Sequence, residues 1–511
     1  MIAASLVACS ALLGCQPQET TPEEAPPNIL LILADDLGYG DVGCYNPEAK
    51  VRTPRIDRLA SEGMRFTDAH SPSTVCSPSR YSLMTGQMQF RVGGPGVFVG
   101  VGGPSLIAED RLTLPQMLRD KGYATACCGK WHIGMTFLDR DGNRIEDDGL
   151  RGVRQIDPTR PIPDGPIHRG FDQFFGTACC PTTDWLYAYI EGDRIPVSPV
   201  EQFDRSGLPA HPYALDCRPG MIAEGFDHET VDLVFLARSI EFLETHVRTN
   251  LEQPFFLVHS MQAVHLPSLA ADRFKGRSGV GPHGDFILEM DWIVGELLDT
   301  LDRLGVSERT LVIFTSDNGP EVPTVLNMRK TYGHDGAFPW RGVKRDQWEG
   351  GHRVPFIVRW PGKVEPGTVT DQMMSLTDVM ATCAEIVGTP LPNDAAEDSY
   401  SMLPVLLGTC GEEPIREYLL QQTISLDLSI RRGPWKYLDH TGSGGNDYER
   451  PGPWGMKDYA LPETDPDAPC QLYNLKEDPG ETTNLARKHP RIVAELKHQL
   501  ELFRASGRSA P

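Results

Sequence analysis

Cys76-Ser77-Pro78-Ser79-Arg80 puts a thiol and a guanidinium four residues apart, at the point where the run RYSLMTG reads as the start of a helix. A nucleophile at a helix N-terminus lies among exposed N–H groups and the positive end of the helix dipole, a setting that favours a bound anion. Two other stretches complete a possible site. NILLILADD ends in Asp35-Asp36, and TLVIFTSDNG ends in Asp317-Asn318. Each is a continuous apolar, β-branched run that breaks into polar side chains, as a parallel strand buried on both faces does at its carboxyl end, where open α/β sheets bind ligands. Three carboxylates and an amide form an all-oxygen set for a hard cation, Ca2+ or Mg2+ rather than Zn2+. An isolated Asp-Asp reads as a helix cap or turn. The second strand ending in Asp317-Asn318 is what favours a metal, with Cys76 beside it.

The elements that must position these groups follow the same logic. From Asn28 onward strands alternate with helices, the mark of an α/β layered domain. RTPRIDRLASEG and FILEMDWIVGELLDTLDRLG carry apolar residues at helical spacing. LTLPQMLRDKGYATACCGKWHIG reads as a helix leading into a strand that ends at Lys130-Trp131-His132, so alternation should turn Lys130 and His132 to one face. PFFLVHSMQAVHLP reads as another buried strand, ending at His265. RVGGPGVFVGVGGPS interrupts this order as a loop. Beyond about Leu391 the composition becomes richer in Pro, Asp and Gly. IRRGPWKYL, CQLYNLKEDPGETTNLA and PRIVAELKHQLELF there suggest a smaller α+β domain closed by a helix.

C-x-P-x-R followed by Leu-x-Thr-Gly resembles the signature of the type I sulfatases, and GYATACCGKWHIG resembles their second signature, with Ile133 in place of Leu. GVKRDQWEGGHRVP, which contains Lys344, is also similar, and the likeness runs from about Asn28 to Leu485. The resemblance implies a large alkaline-phosphatase-like mixed sheet sandwiched by helices and a C-terminal four-stranded antiparallel sheet. It also implies that a maturation enzyme converts Cys76 to formylglycine, whose hydrate attacks sulfur with one hydroxyl and expels sulfate with the other. Asp35, Asp36, Asp317, Asn318 and position 76 would then hold Ca2+. Lys130 and Lys344 would bind sulfate, Arg80 would stabilise the diol, His132 would act as base and His265 would protonate the leaving oxygen. At His265 the residue before is Val264 where the family usually has Pro. His334, His352, Arg345, Asp346, Asp184 and Trp185 read either as contacts to the organic part of the substrate or as solvated loop residues.

The charge balance, 48 basic against 70 acidic residues, gives −22 and argues against nucleic acid or a broad basic membrane face. An anionic ester must therefore be drawn in by a local cluster of cations. MIAASLVACSALLGC reads as a signal peptide similar to a bacterial lipobox with Cys15 lipidated, though it lacks a basic residue before its apolar core. The expected organisation is leader 1–15, flexible tether 16–27, catalytic domain 28–390 and C-terminal subdomain 391–511, in a periplasmic or cell-surface lipoprotein. Apart from Cys9, Cys15 and Cys76, nine of the 12 cysteines remain, and buried free thiols are the expectation for most. The expected activity is hydrolysis of a sulfate monoester, on a sulfated saccharide or a small sulfate ester. The alternatives are a phosphonate monoester or phosphodiester hydrolase of the same superfamily, and an unconverted lipoprotein that binds sulfated glycan.

Overall fold

A computed structural model describes residues 25–511 except 95, 98–102, 212, 412, 453–454, 458, 460–464 and 466. The leader with Cys15, most of the tether and part of the glycine-rich interruption therefore lie outside the described residues. The strand Asn28–Ala34 is the centre of the molecule, and every one of its residues is buried. It pairs in parallel with Phe255–Ser260 on one side and with Thr310–Ser316 on the other. Its side chains alternate between two cores. Ile29, Leu31 and Leu33 pack with Tyr81, Leu114, Leu118 and Val379. Leu30 and Ile32 pack with Leu59, Leu243, Ile287 and Leu298. Burial of each such side chain contributes about 1.5–3 kcal/mol, so a run apolar at consecutive positions is what a strand covered on both faces requires.

The sheet has nine strands among the described residues, ordered 368–370, 64–66, 356–359, 310–316, 28–34, 255–260, 124–130, 173–177 and 190–191. The five from 310–316 to 173–177 are mutually parallel. The strand Phe356–Arg359 runs antiparallel to them, which makes the sheet mixed. Helices Pro54–Ser61, Val231–Thr249 and Gly281–Arg303 cover one face. Cys76–Thr85, Leu114–Asp120 and Asp378–Ile386 cover the other. No helix of the described residues is long and apolar enough to cross a membrane.

A second sheet, Tyr418–Gln422, Leu428–Arg432, Trp435–Leu438 and Gln471–Asn474, is antiparallel throughout. Gly433, with φ of +52°, begins the two-residue turn between its middle strands. Helix Pro490–Ser506 closes it by laying Leu496 and Leu500 on Leu420, Ile430, Tyr437 and Leu472.

Where this sheet meets the large one, a cluster of charge is buried. Arg431 forks onto Asp68 with two bonds of 2.7 Å. Asp68 takes a contact of 2.8 Å from His70 Nε2, and His70 Nδ1 lies 3.0 Å from His352 Nδ1. Lys436 Nζ sits 3.0 Å from Glu349 Oε1, 3.0 Å from His352 Nε2 and 2.9 Å from Glu481 Oε1.

Candidate active site

The two acidic strand ends meet because their strands are neighbours in register, with Ala34 opposite Ser316. Asp36, at φ +59°, turns the chain so that its N–H donates to Asp317 Oδ1 at 3.2 Å, while Asn318 Nδ2 donates to Asp36 Oδ1 at 2.7 Å. Cys76 is the first residue of its helix and 1% exposed. One turn further on, Arg80 Nε donates to Asp317 Oδ2 at 2.8 Å, and its Nη1 reaches Ser260 Oγ at 2.6 Å and the Lys130 carbonyl at 3.0 Å. Arg80 Nη2 lies 3.6 Å from Asp35 Oδ2. Lys130 Nζ donates to Asp35 Oδ2, and Lys344 Nζ lies 2.6 Å from Asp36 Oδ1. All ten residues singled out for chemistry thus converge on the carboxyl end of the central strands.

Two placements differ from the sequence reading. The strand holding Lys130 ends at that residue. His132 lies beyond it at φ +61°, held by its N–H on the Ala178 carbonyl at 2.9 Å, so a left-handed turn and not strand alternation brings it to Lys130. The strand before His265 ends at Ser260. His265 is five residues further on, in a loop where its Nδ1 bonds the Leu266 carbonyl at 2.6 Å and its Nε2 lies 3.6 Å from Asp36 Oδ2. In both places the ladder stops short of the histidine, whose backbone or ring bonds a loop carbonyl instead.

The donor set fits a hard cation. Asp35 Oδ1 and Asn318 Oδ1 are buried and accept no hydrogen bond among the described residues, although the other polar atom of each side chain is engaged. Buried oxygens without partners cost free energy that an ion would recover. Burial and the neighbouring Asp35 push the Asp317 carboxyl above its ordinary pKa. Asp35, Asp36 and His265 each bring a donor atom within 4.8 Å of the others. A Cys76 sulfur is a poor companion to such oxygen donors.

Cations dominate the space around position 76. Burial works against ionisation of the Cys76 thiol, but the fields of His132, Lys130 and Lys344 outweigh it and hold its pKa below the usual value. Burial likewise disfavours charge on His265, yet Asp36 pushes its pKa up to about 10.

Of the secondary candidates, His334 is buried on Asp41 at 2.8 Å, His352 belongs to the Lys436 cluster, and Asp346 is buried beneath Asn446 and Tyr448. These three are neither solvated loop residues nor groups facing position 76. Arg345 is paired with Glu321. Asp184 accepts from the Cys180 backbone N–H at 2.6 Å, which brings it and Trp185 to the edge of the site.

Cys180 itself was read only as a buried thiol. Its Sγ lies 3.8 Å from His132 Nδ1 and 3.9 Å from His265 Nε2. The only hint was its position just past the FFGT strand, whose pairing with the Lys130 strand the sequence does not display. Ser260 was missed because it resembles any polar strand end. The ten described cysteines are free, seven of them buried, as expected for thiols without a disulfide framework.

The sulfatase family model matches residues 27–389. An N-acetylgalactosamine-6-O-sulfatase from Bacteroides thetaiotaomicron is 33% identical over 96% of this chain and 96% of its own length. Arylsulfatase A from Homo sapiens is 33% identical over 94% of this chain and 88% of its own. A Bacteroides thetaiotaomicron structure, solved in connection with the metabolism of multiple glycosaminoglycans, superposes with a TM-score of 0.78 at 31% identity, covering 94% of this chain and 100% of that one. With a family model over residues 27–389 and relatives matched over nearly their whole length, the chain belongs to the sulfatases, sulfuric ester hydrolases of the alkaline-phosphatase-like superfamily.

Proposed function

We propose that this sulfatase removes sulfate from a sulfated saccharide, using Cys76 after its conversion to formylglycine and a Ca2+ ion held by Asp35, Asp36, Asp317 and Asn318 beside position 76. The observation that carries the reading is the pair of buried, unpartnered oxygens on Asp35 and Asn318 among carboxylates gathered near Cys76. A saccharide is favoured by the N-acetylgalactosamine-6-O-sulfatase relative, which matches end to end. The likeness to arylsulfatase A adds small aryl sulfates as accessory substrates.

When bound, the ion would polarise a sulfate oxygen, and the hydrated aldehyde at position 76 would supply the attacking oxygen. The chain's own residues do the remainder. Lys130 and Lys344 are paired with Asp35 and Asp36 here. With those carboxylates committed to a divalent charge, the two ammonium groups are available to orient the sulfate. Arg80 fixes Asp317 and holds positive charge one helical turn from the nucleophile. His132, whose charge acts most strongly on the side chain at 76, takes a proton there. His265, on the Asp36 side, gives one to the departing alcohol oxygen. Burial of all these groups strengthens each electrostatic contact.

Residues 28–390 would form the catalytic unit and 391–511 the subdomain that braces it. The leader would direct export to the periplasm or cell surface, with Cys15 as a lipid anchor; loss of fatty-acid labelling in Cys15→Ser tests this. The function is tested by measuring sulfate release from a panel of defined saccharide sulfates, alongside a phosphate diester sharing a leaving group with a sulfate monoester. Release from a saccharide sulfate, with the sulfate monoester cut faster than the diester, is expected. A preference for the diester would overturn the reading.

A further inference from the structure

The machinery above contacts the sulfate and the bridging oxygen but leaves the alcohol without a reader. Residues 180–187 and 213–218 lie together beside His265. Asp184 joins them: its Oδ2 accepts from the Cys180 N–H at 2.6 Å, and its Oδ1 accepts from Arg218 Nη1 at 3.2 Å. Cys180 in turn touches both His132 and His265 through its Sγ. Arg218 is therefore one carboxylate away from a residue in contact with both imidazoles.

Arg218 is held firmly at one end. Its N–H donates to the Tyr187 hydroxyl at 3.1 Å, and that hydroxyl donates back to the Arg218 carbonyl at 2.8 Å. Nη1 also donates to the Thr183 carbonyl, and the guanidinium lies over the Trp185 ring with 5.6 Å to its centre. Trp185 thus has Arg218 on one face. The side chain of Arg218 remains 36% exposed, and its Nε and Nη2 donate to no described residue. Asp216 lies two residues earlier at the end of the short turn Ala214–Asp216, half-buried, and its carboxylate makes no hydrogen bond among the described residues. Nε and Nη2 of a guanidinium pinned through its Nη1, and a carboxylate on the same segment, are thus left without partners one carboxylate away from Cys180 and the two imidazoles it touches.

We propose that Arg218 and Asp216 are specificity-determining residues that read hydroxyl or carbonyl groups on the ring bearing the sulfate, and so select a saccharide over a flat aryl ester. The assignment rests on the saccharide reading above and adds the residues that enforce it. Its physical basis is that a site built to hydrogen-bond a substrate's polar groups discriminates strongly against analogues lacking them. Arg218 supplies fixed donors and Asp216 an acceptor, a combination that matches neighbouring sugar substituents and has no counterpart on a phenol ring.

The test compares kcat/KM for the best-cleaved member of a panel of sulfated monosaccharides with that for 4-nitrophenyl sulfate, in the wild type, Asp216→Asn, Arg218→Gln and Arg218→Lys. Asp216→Asn and Arg218→Gln should each lower the saccharide-to-aryl ratio about 10- to 100-fold, with Arg218→Lys between them and the wild type. Turnover of the aryl ester by the same preparation reports that each variant is folded. A ratio unchanged within about twofold, whether both activities fall or neither does, would overturn the assignment while leaving the saccharide reading intact. A wild-type enzyme that cleaves the aryl ester and no saccharide sulfate would instead remove the reading on which the assignment rests.

Discussion

The acidic cluster at the ends of the central strands and the Lys436 cluster at the seam of the two sheets are both buried, both ionic, and both assembled from residues far apart in sequence. They differ in what neutralises them. At the seam the cation belongs to the chain: Lys436 stands within 3.0 Å of Glu349, His352 and Glu481. His70, Glu349 and His352 could by spacing hold a metal, but the ammonium already lies against two of the three. At the strand ends three carboxylates meet Lys130, Lys344 and Arg80, yet Asp35 Oδ1 and Asn318 Oδ1 are left without partners. Glu481 Oε1 at the seam also lacks a hydrogen bond, but Lys436 Nζ stands 2.9 Å from it and supplies the charge. The orphaned oxygens at the strand ends lie among carboxylates, where a bound cation would supply theirs.

Substitutions should therefore divide cleanly between activity and stability. The largest effect is expected at Cys76: Cys76→Ser should lower kcat about 10³-fold or more, the scale of losing a nucleophile, while its unfolding free energy stays within about 1 kcal/mol of wild type. Wild-type turnover by the purified variant would break the comparison from the catalytic side. Exhaustive chelation comes next, with turnover reduced at least about a hundredfold, since a Lewis acid contributes several kcal/mol of transition-state stabilisation. Added Ca2+ should restore the rate more fully than Mg2+; indifference to chelation would remove the ion from the account.

Lys436→Met should behave oppositely. It removes the cation between Glu349 and Glu481, leaving Glu349 with Arg353 at 2.8 Å, and breaking a buried pair costs about 3–5 kcal/mol, to be read from urea unfolding. kcat for the protein that remains folded should change by less than about threefold. A loss of rate without loss of stability would join the two clusters into one functional unit.

The smallest effect is in pH dependence. Burial, with Glu349 beside it, pushes the Glu481 carboxyl up to about 7, from an ordinary value of 4.5. Its contribution to stability is then full below about pH 4.5 and is lost as pH rises through about 7, because the folded state keeps a proton that the unfolded state has released. Stability should decline across that window by about 1–3 kcal/mol from this group. Glu481→Gln should flatten the decline, and equal slopes in the two proteins would contradict the assignment.

Much of this was legible in the chain itself. Asn28–Ala34 and Thr310–Ser316 announce themselves because a strand buried on both faces has no polar positions to blur it, and their acidic ends follow directly. Cys76 begins its helix as its surroundings predict, and the small antiparallel sheet lies where the composition changes. What could not be read depends on three-dimensional neighbours. His265 reaches the site from a loop five residues past its strand, and Cys180 through the pairing of two strand ends. The seam brings together Asp68, Glu349, Arg431 and Lys436, residues whose local sequence suggests only solvated charge. Lys130 and Lys344, expected on sulfate, lie on the carboxylates of Asp35 and Asp36, partners that neither lysine's surroundings in sequence display.

The most direct test of the central claim is equilibrium Ca2+ binding to exhaustively chelated protein, followed by calorimetry, with Asn318→Ala and Asp35→Asn alongside. One ion per chain is expected in the wild type, with a gain in unfolding free energy of about 2.7 kcal/mol at a free concentration one hundred times Kd. Both variants should bind much more weakly. No bound ion in the wild type, or equal affinity in all three proteins, would contradict the account.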